Sequence, residues 1–218
     1  MKRRLTRFLK NSQGFPALLS FLGGLLLVFF VVGCSETPSG TRKVLRLTLG
    51  AEPPTLDGSL ATDSESIQII SNLMEGLTQF DENLKPVPAI ADHWNYSSDY
   101  KIITYYLRDN VFWTDGKPVT ARVIKEGYEE FLKRGRVTSG LLRDARINAI
   151  KVLDEHRLMI DLAEPNPGLD VVLSGPIGRV FSVESAMADP AAFLHSPVGT
   201  GPYIIDSWAV GEPALLSA

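Results

Sequence analysis

The arrangement of apolar and polar residues divides the chain at Cys34. Residues 1–10 carry Lys2, Arg3, Arg4, Arg7 and Lys10 and no acid, and an apolar run then extends from Ala17 to Val32, broken only by Ser20 and Gly23-Gly24. It stops at Gly33-Cys34, and the Ser, Glu, Thr, Pro and Gly that follow read as a tether over residues 34–43. A basic start, an apolar centre and a small residue at the end form the layout of a secretory signal over residues 1–33. The apolar run, 16 residues, falls just short of the roughly 20 that a helix needs to cross a bilayer. An uncleaved anchor is the rival reading.

Beyond the tether the periodicity changes repeatedly. Val44–Leu49 alternates in strand fashion and is ended by Pro53-Pro54. Ile67, Ile70, Leu73, Met74 and Leu77 recur at spacings of three and four, which predicts a helix with one buried stripe. Thr62-Asp63-Ser64-Glu65 fits a capping box with Thr62 as the cap, and Gly76 after Glu75 fits a glycine C-cap. Phe80–Leu84 is a turn. Lys101–Arg108 and Val111–Trp113 read as strands, the second ended by Asp115-Gly116.

Thr120 is placed to cap a second helix with the stripe Ile124, Tyr128, Phe131 and Leu132. Arg146–Leu153 and Arg157–Leu162 form a hairpin around Asp154-Glu155-His156. Pro165, Pro167 and Gly168 mark a loop before the apolar stretch Leu169–Leu173. Glu184–Leu194 reads as a short helix, and Tyr203–Trp208 as a last strand. The alternation lacks a strict βαβ rhythm, so the pattern by itself gives a mixture of α and β.

Composition narrows the partners. Cleavage before Cys34 leaves 185 residues, enough for one core. It also leaves 17 basic against 25 acidic residues, a net charge of about −8, which argues against nucleic acid as a partner. Cys34 is the only cysteine, so no disulfide forms within the chain.

Catalytic patterns are missing. There is no Gly-x-Ser-x-Gly elbow, no phosphate loop ending in Gly-Lys-Ser/Thr and no His-Glu-x-x-His. His93, His156 and His195 stand apart, without a second ligand at metal spacing, so neither a metal nor a cofactor is expected. Gly199-Thr200-Gly201 follows a helix and Pro197 rather than a strand, which separates it from a dinucleotide fingerprint. Trp94, Trp113 and Trp208 lie at strand ends, where large aromatics fill core more often than they stack on ligands.

Six stretches carry a resemblance. Val31-Val32-Gly33-Cys34 resembles a lipobox, in which lipid is attached to the cysteine and the chain is cut before it. The other five, in order, are Glu52–Asp57 (Glu-Pro-Pro-Thr-Leu-Asp), Asn72–Leu77 (Asn-Leu-Met-Glu-Gly-Leu), Pro86–Trp94, Leu107–Ala121 with Trp113-Thr114-Asp115-Gly116 at its centre, and Pro197–Tyr203 (Pro-Val-Gly-Thr-Gly-Pro-Tyr). Together they resemble the family 5 extracellular solute-binding proteins, which bind oligopeptides, dipeptides, nickel complexes and some sugars or opines.

The resemblance spans residues 44–210. It implies a type II periplasmic-binding-protein fold of class α/β, a mixed sheet with flanking helices, closing as two lobes over ligand. It also implies that the segment after Leu56-Asp57, here Thr62, Asp63 and Ser64, offers backbone groups to an extended peptide. The implied partners are a peptide or small solute, the permease subunits of an ABC importer, and a membrane through lipid on Cys34. The implied place is the extracytoplasmic cell envelope.

The chain departs from the family pattern in several places. Gly58 stands where the family has proline, and Ala121-Arg122-Val123-Ile124 replaces Ala-Glu-Asp-Phe. Arg134–Arg143 lacks the aromatic that reaches ligand in relatives. Family members are much longer, so the expectation is the N-terminal part of the fold, with the second lobe missing. The alternative expectation is a truncated, lipid-anchored protein that binds no solute.

Overall fold

The computed structural model describes residues 48–58, 60–134, 139–209, 211 and 214–218. All of them belong to one compact unit, Arg42–Ala218. The signal, Cys34, the tether and most of the expected strand Val44–Leu49 lie outside the described residues. Thr48 and Leu49, which are described, are not in a strand.

The first helix, α1 (Ser64–Leu73), starts one residue later than the capping box places it. Asp63 is the cap: its backbone is extended (φ −99°, ψ 158°) and its carboxylate accepts the Ser66 amide at 2.8 Å. Burial pushes the Asp63 carboxyl up, but hydrogen bonds from Ser66 and its neighbours outweigh this and hold it below the usual carboxylate range. Thr62 is exposed and takes no part in the cap. Asp63→Ala is therefore expected to cost about 1 kcal/mol and Thr62→Ala almost nothing. Because the folded-state pKa is depressed, the Asp63 contribution is present above the ordinary aspartate pKa and lost as pH falls through the lower folded value. Urea titrations of both variants at neutral and acidic pH check this; equal costs for the two positions would contradict the assignment.

Helix α1 also ends early. Its buried face is Ser66, Ile69, Ile70 and Leu73. Met74 and Leu77 are fully buried too, but past the helix end, Met74 in extended conformation and Leu77 in a bend. Gly76 is no C-cap. Its backbone bridges to Arg179, and a Cβ there would lie 2.9 Å from the carbonyl oxygens of both Gly178 and Thr78. Close approach of three chain segments, rather than a left-handed turn, explains the glycine.

A small hairpin follows, β1 (Thr78–Phe80) against β2 (Pro86–Pro88). The turn between them is held by Asp81, whose carboxylate accepts the amides of Asn83 and Lys85, both at 2.8 Å. The main sheet comprises β3 (Ala91–Tyr96), β4 (Ile102–Leu107), β5 (Ile147–Asp154) and β6 (Arg157–Leu162), in the order β3-β4-β6-β5, every neighbour antiparallel. Strict alternation puts Ile103, Tyr105 and Leu107 of β4 beside Leu158, Ile160 and Leu162 of β6 on the buried face. Against this face packs α2 (Ala121–Arg134), through Ile124, Tyr128 and Phe131. Each such side chain contributes about 1.5–3 kcal/mol when fully buried. Thr120 caps α2 as expected, accepting the Val123 amide at 3.5 Å.

The expected strand Val111–Trp113 reduces to a single bridge, Phe112 with Pro118, around the turn at Gly116 (φ +83°). A short helix unforeseen in the sequence, α3 (Ser139–Asp144), precedes β5. The apolar stretch after Gly168 is a helix, α4 (Leu169–Ser174), followed by a 3-10 turn at Pro176–Gly178. The Tyr96 hydroxyl donates to the Asp170 carboxylate at 2.9 Å and accepts the Asp170 amide at 3.1 Å, fastening α4 to β3.

Two helices replace the single one expected over Glu184–Leu194. They are α5 (Val183–Ala188) and α6 (Pro190–His195), divided where Asp189 caps α6 and Pro190 takes its first position.

The last strand, β7 (Ile204–Ser207), pairs with β8 (Leu215–Ser217) as a separate ribbon. A two-stranded ribbon is marginal by itself, and Ile204 and Leu215 are exposed. Amides of β7 are expected to exchange orders of magnitude faster than those of β4 and β6. Hydrogen exchange followed by mass spectrometry checks this; equal protection of the two sheets would overturn it.

Candidate functional site

Two places on the fold could meet a ligand. The first is the start of α1, where the sequence puts the ligand-contacting segment. Thr62 and Ser64 are exposed and Asp63 is half-buried. Asp63 is occupied in capping, and the Ser64 hydroxyl donates to the Glu65 carboxylate at 3.0 Å. The side chains of this segment are thus turned to local partners, and what it offers a ligand is backbone at a helix N-terminus.

The second place lies at the other end of α1. The Gly199-Thr200-Gly201 loop packs against the last turn of the helix. The Gly201 amide donates to the Leu73 carbonyl at 2.9 Å and the Tyr203 amide to the Asn72 carbonyl at 3.2 Å. The Glu75 amide donates to the Thr200 hydroxyl at 3.1 Å. Thr114 joins the same loop: its amide donates to the Gly199 carbonyl at 2.9 Å, and its hydroxyl accepts the Gly199 amide at 3.3 Å. From the other side, the Ile90 amide donates to the Gly76 carbonyl at 3.1 Å and the Val180 amide to the Glu75 carbonyl at 2.9 Å.

These pairings leave an open pocket of about 360 Å³. Its walls come from four of the quoted motifs: Glu75 from beyond the first helix, Pro88 and Ala89 at the end of β2, Arg108 and Asn110–Phe112 after β4, and Thr200, with Gln79 beside them. Neither Thr62, Asp63 nor Ser64 lines it. The sequence marks these motifs as fold-specifying and gives no sign that they share a pocket, because long-range backbone bonds bring them together.

Charge in the pocket is unbalanced. Glu75 is half-buried, and burial pushes its carboxyl above the usual range, against the pull of Arg179 and then Arg108. Arg179 sits behind it, its guanidinium pKa lowered by burial. One Arg179 nitrogen donates to the Met74 carbonyl at 3.1 Å, and its buried Nε has no hydrogen-bond partner.

The histidines remain apart. His93 stacks on Tyr106 with ring centroids 4.3 Å apart, His156 lies 3.1 Å from Asp109, and His195 meets the edge of Trp208. Among the described residues no three His, Cys, Asp or Glu side chains gather as a metal site. No described helix is long and apolar enough to cross a membrane. Trp113 is buried, and Trp94 and Trp208 pack partly against the core.

The family model described as bacterial extracellular solute-binding proteins, family 5 Middle, matches residues 85–218, more than half of the chain. The chain belongs to this family. Among family 5 relatives, the dipeptide-binding protein DppE of Bacillus subtilis is 28% identical over 214 residues, covering 84% of this chain and 39% of the relative. The periplasmic murein peptide-binding protein MppA of Escherichia coli is 29% identical over 206 residues, covering 84% of this chain and 38% of the relative. The solved murein tripeptide binding protein MppA of Escherichia coli superposes with a TM-score of 0.72 at 26% identity, over 77% of this chain and 36% of that one. A periplasmic oligopeptide-binding protein of Borrelia burgdorferi gives a TM-score of 0.72 at 26% identity, over 80% of this chain and 39% of that one. The fold is that of type II periplasmic binding proteins, mixed α/β, and the chain spans about two fifths of the length of these relatives. Relatives of this family are substrate-binding transport proteins.

Proposed function

We propose that this chain is the N-terminal part of a peptide-capturing lipoprotein that delivers its solute to an ABC importer, and that it carries no catalysis. The observation that carries the reading is the family match over residues 85–218, together with relatives named for dipeptide and murein peptide binding. Capture uses the backbone of Thr62, Asp63 and Ser64 at the start of α1. Main-chain hydrogen bonds there serve peptides of many sequences, because every peptide presents the same backbone groups. The membrane permease subunits take the solute onward.

A host strain deleted for the gene, and dependent on a supplied tripeptide for one required amino acid, tests the transport role. Slower growth, restored by re-expression, is expected; unchanged growth overturns the reading.

Residues 1–33 act as the signal, and lipid on Cys34 holds the protein at the outer side of a membrane. Each buried methylene of the lipid contributes about 0.8 kcal/mol, so several acyl chains give lasting attachment. Labelled palmitate is expected to enter the wild-type protein and not Cys34→Ser. Equal labelling of the two would sink the lipoprotein assignment.

A further inference from the structure

We infer that the pocket beside the end of α1 is a binding site for a small zwitterion of the free amino-acid type, separate from the backbone segment at the helix start. The inference does not rest on the peptide reading. It rests on four observations about the pocket wall.

First, the two charged groups of opposite sign on the wall, Glu75 and Arg108, are near enough for Arg108 to act on the Glu75 carboxyl. Yet Glu75 makes no side-chain hydrogen bond or ion pair among the described residues. A half-buried carboxylate without a donor is costly, and a ligand ammonium removes that cost. Second, Arg108 is exposed and makes no ion pair among the described residues, so its guanidinium fork is free to take a ligand carboxylate in bidentate fashion. Third, Arg179 behind Glu75 raises the local positive charge. A bare cation is therefore disfavoured, whereas a ligand that brings its own carboxylate is accommodated. Fourth, Phe112 on the rim is 54% exposed. An exposed ring beside an otherwise polar wall supplies a face for an ammonium or for a short aliphatic side chain.

Size agrees with this chemistry. A volume of about 360 Å³ stands at the small end of the range for ligand pockets, roughly 300–1,000 Å³. Thr200 is held by the Glu75 amide, and Glu75 is fixed by backbone bonds on both sides. The site is thus built on bonded backbone.

The test is titration of the full chain, in mild detergent, with glycine, acetate and methylammonium, followed by backbone-amide NMR. Glycine is expected to give saturable shifts at Glu75, Arg108 and Thr200, with an affinity at least tenfold tighter than either half-molecule. Arg108→Gln, on an exposed side chain that the fold does not need, is expected to weaken glycine at least tenfold, as is Glu75→Gln. Peptide-induced shifts at Thr62–Ser64 report the other site and stay unchanged in Arg108→Gln. Equal affinity for acetate and glycine, no saturation by glycine in the millimolar range, or full glycine affinity in Arg108→Gln would each overturn the inference.

Discussion

Alanine at Gly178 or at Gly199 is expected to destabilise the protein by about 3 kcal/mol or more, at the upper end of what overpacking a core costs. Each glycine presses on the backbone at the end of a helix, Gly178 on that of α4 at Leu173 and Gly199 on that of α1 at Leu73. A Cβ on Gly178 would run into the carbonyl of Leu173 and lie 2.6 Å from its Cα, and a Cβ on Gly199 would run into the carbonyl of Leu73. Gly201 adds a third contact, with a Cβ 2.5 Å from the Asn72 oxygen. These closest contacts are all with backbone, so no flexible side chain can swing aside to relieve them. At Gly199 the backbone that would have to move, the end of α1, also accepts the Gly201 and Tyr203 amides. Shifting it therefore breaks hydrogen bonds as well as packing.

Two control positions separate this effect from the general one of adding a methyl group. At Gly58 a Cβ would rest 3.7 Å from the side chain of Ile70, an ordinary contact, and the change is expected to stay within about 0.5 kcal/mol. At Gly116 nothing lies within 4 Å, but φ is +83°, and alanine is expected to cost about 1–2 kcal/mol in backbone strain alone. Urea unfolding of the four variants checks the order. A midpoint for Gly199→Ala equal to that of Gly58→Ala would refute the account of how α1 is held.

The same junction shows where sequence reading succeeds and where it stops. Strands β4 and β6 and helix α2 follow from period and composition, because each buries one face against its neighbours and the apolar residues mark that face. The end of α1 does not follow. Met74 and Leu77 continue the helical spacing set by Ile70 and Leu73, and both are buried, yet the chain has already left the helix at Met74. What stops the helix is contact from residues more than a hundred positions away, which no local pattern records. Position alone makes Gly76 look like a helix cap, whereas its role is to let Arg179 and Gly178 approach.

The one-residue difference at the start of α1 has a local reason. Thr62 and Asp63 are both competent caps, and the choice falls to Asp63 because Ser66, whose amide it takes, is fully buried. The break between α5 and α6 is written in the sequence as Asp189-Pro190, a cap followed by a proline suited to the first helical position. As for the site, four motifs stand out in the sequence as separate marks of fold. That they share one pocket depends on long-range pairs such as Glu75 with Thr200, 125 positions apart.

Short peptides are expected to bind residues 34–218 no more tightly than about millimolar, roughly −4 kcal/mol. A type II binding protein gains affinity by closing two lobes over its ligand, which buries the ligand on both sides and keeps water from its polar groups. The chain spans about two fifths of the length of its relatives. Residues 34–218 by themselves are therefore expected to present a peptide with one wall. On an open wall the peptide amides and carbonyls keep exchanging with water, and each hydrogen bond is worth only its small net value, about 1 kcal/mol. Removing half the contacts from a micromolar complex, about −8 kcal/mol, leaves about −4 kcal/mol. The residual contact is expected at Thr62, Asp63 and Ser64, where the opening amides of α1 attract an acceptor or a carboxylate. Isothermal titration against a set of di-, tri- and tetrapeptides, with amide NMR to place any contact, provides the measurement. A micromolar hit would refute the one-wall argument. It would require a second wall, and a dimer in sedimentation of the complex would identify its source.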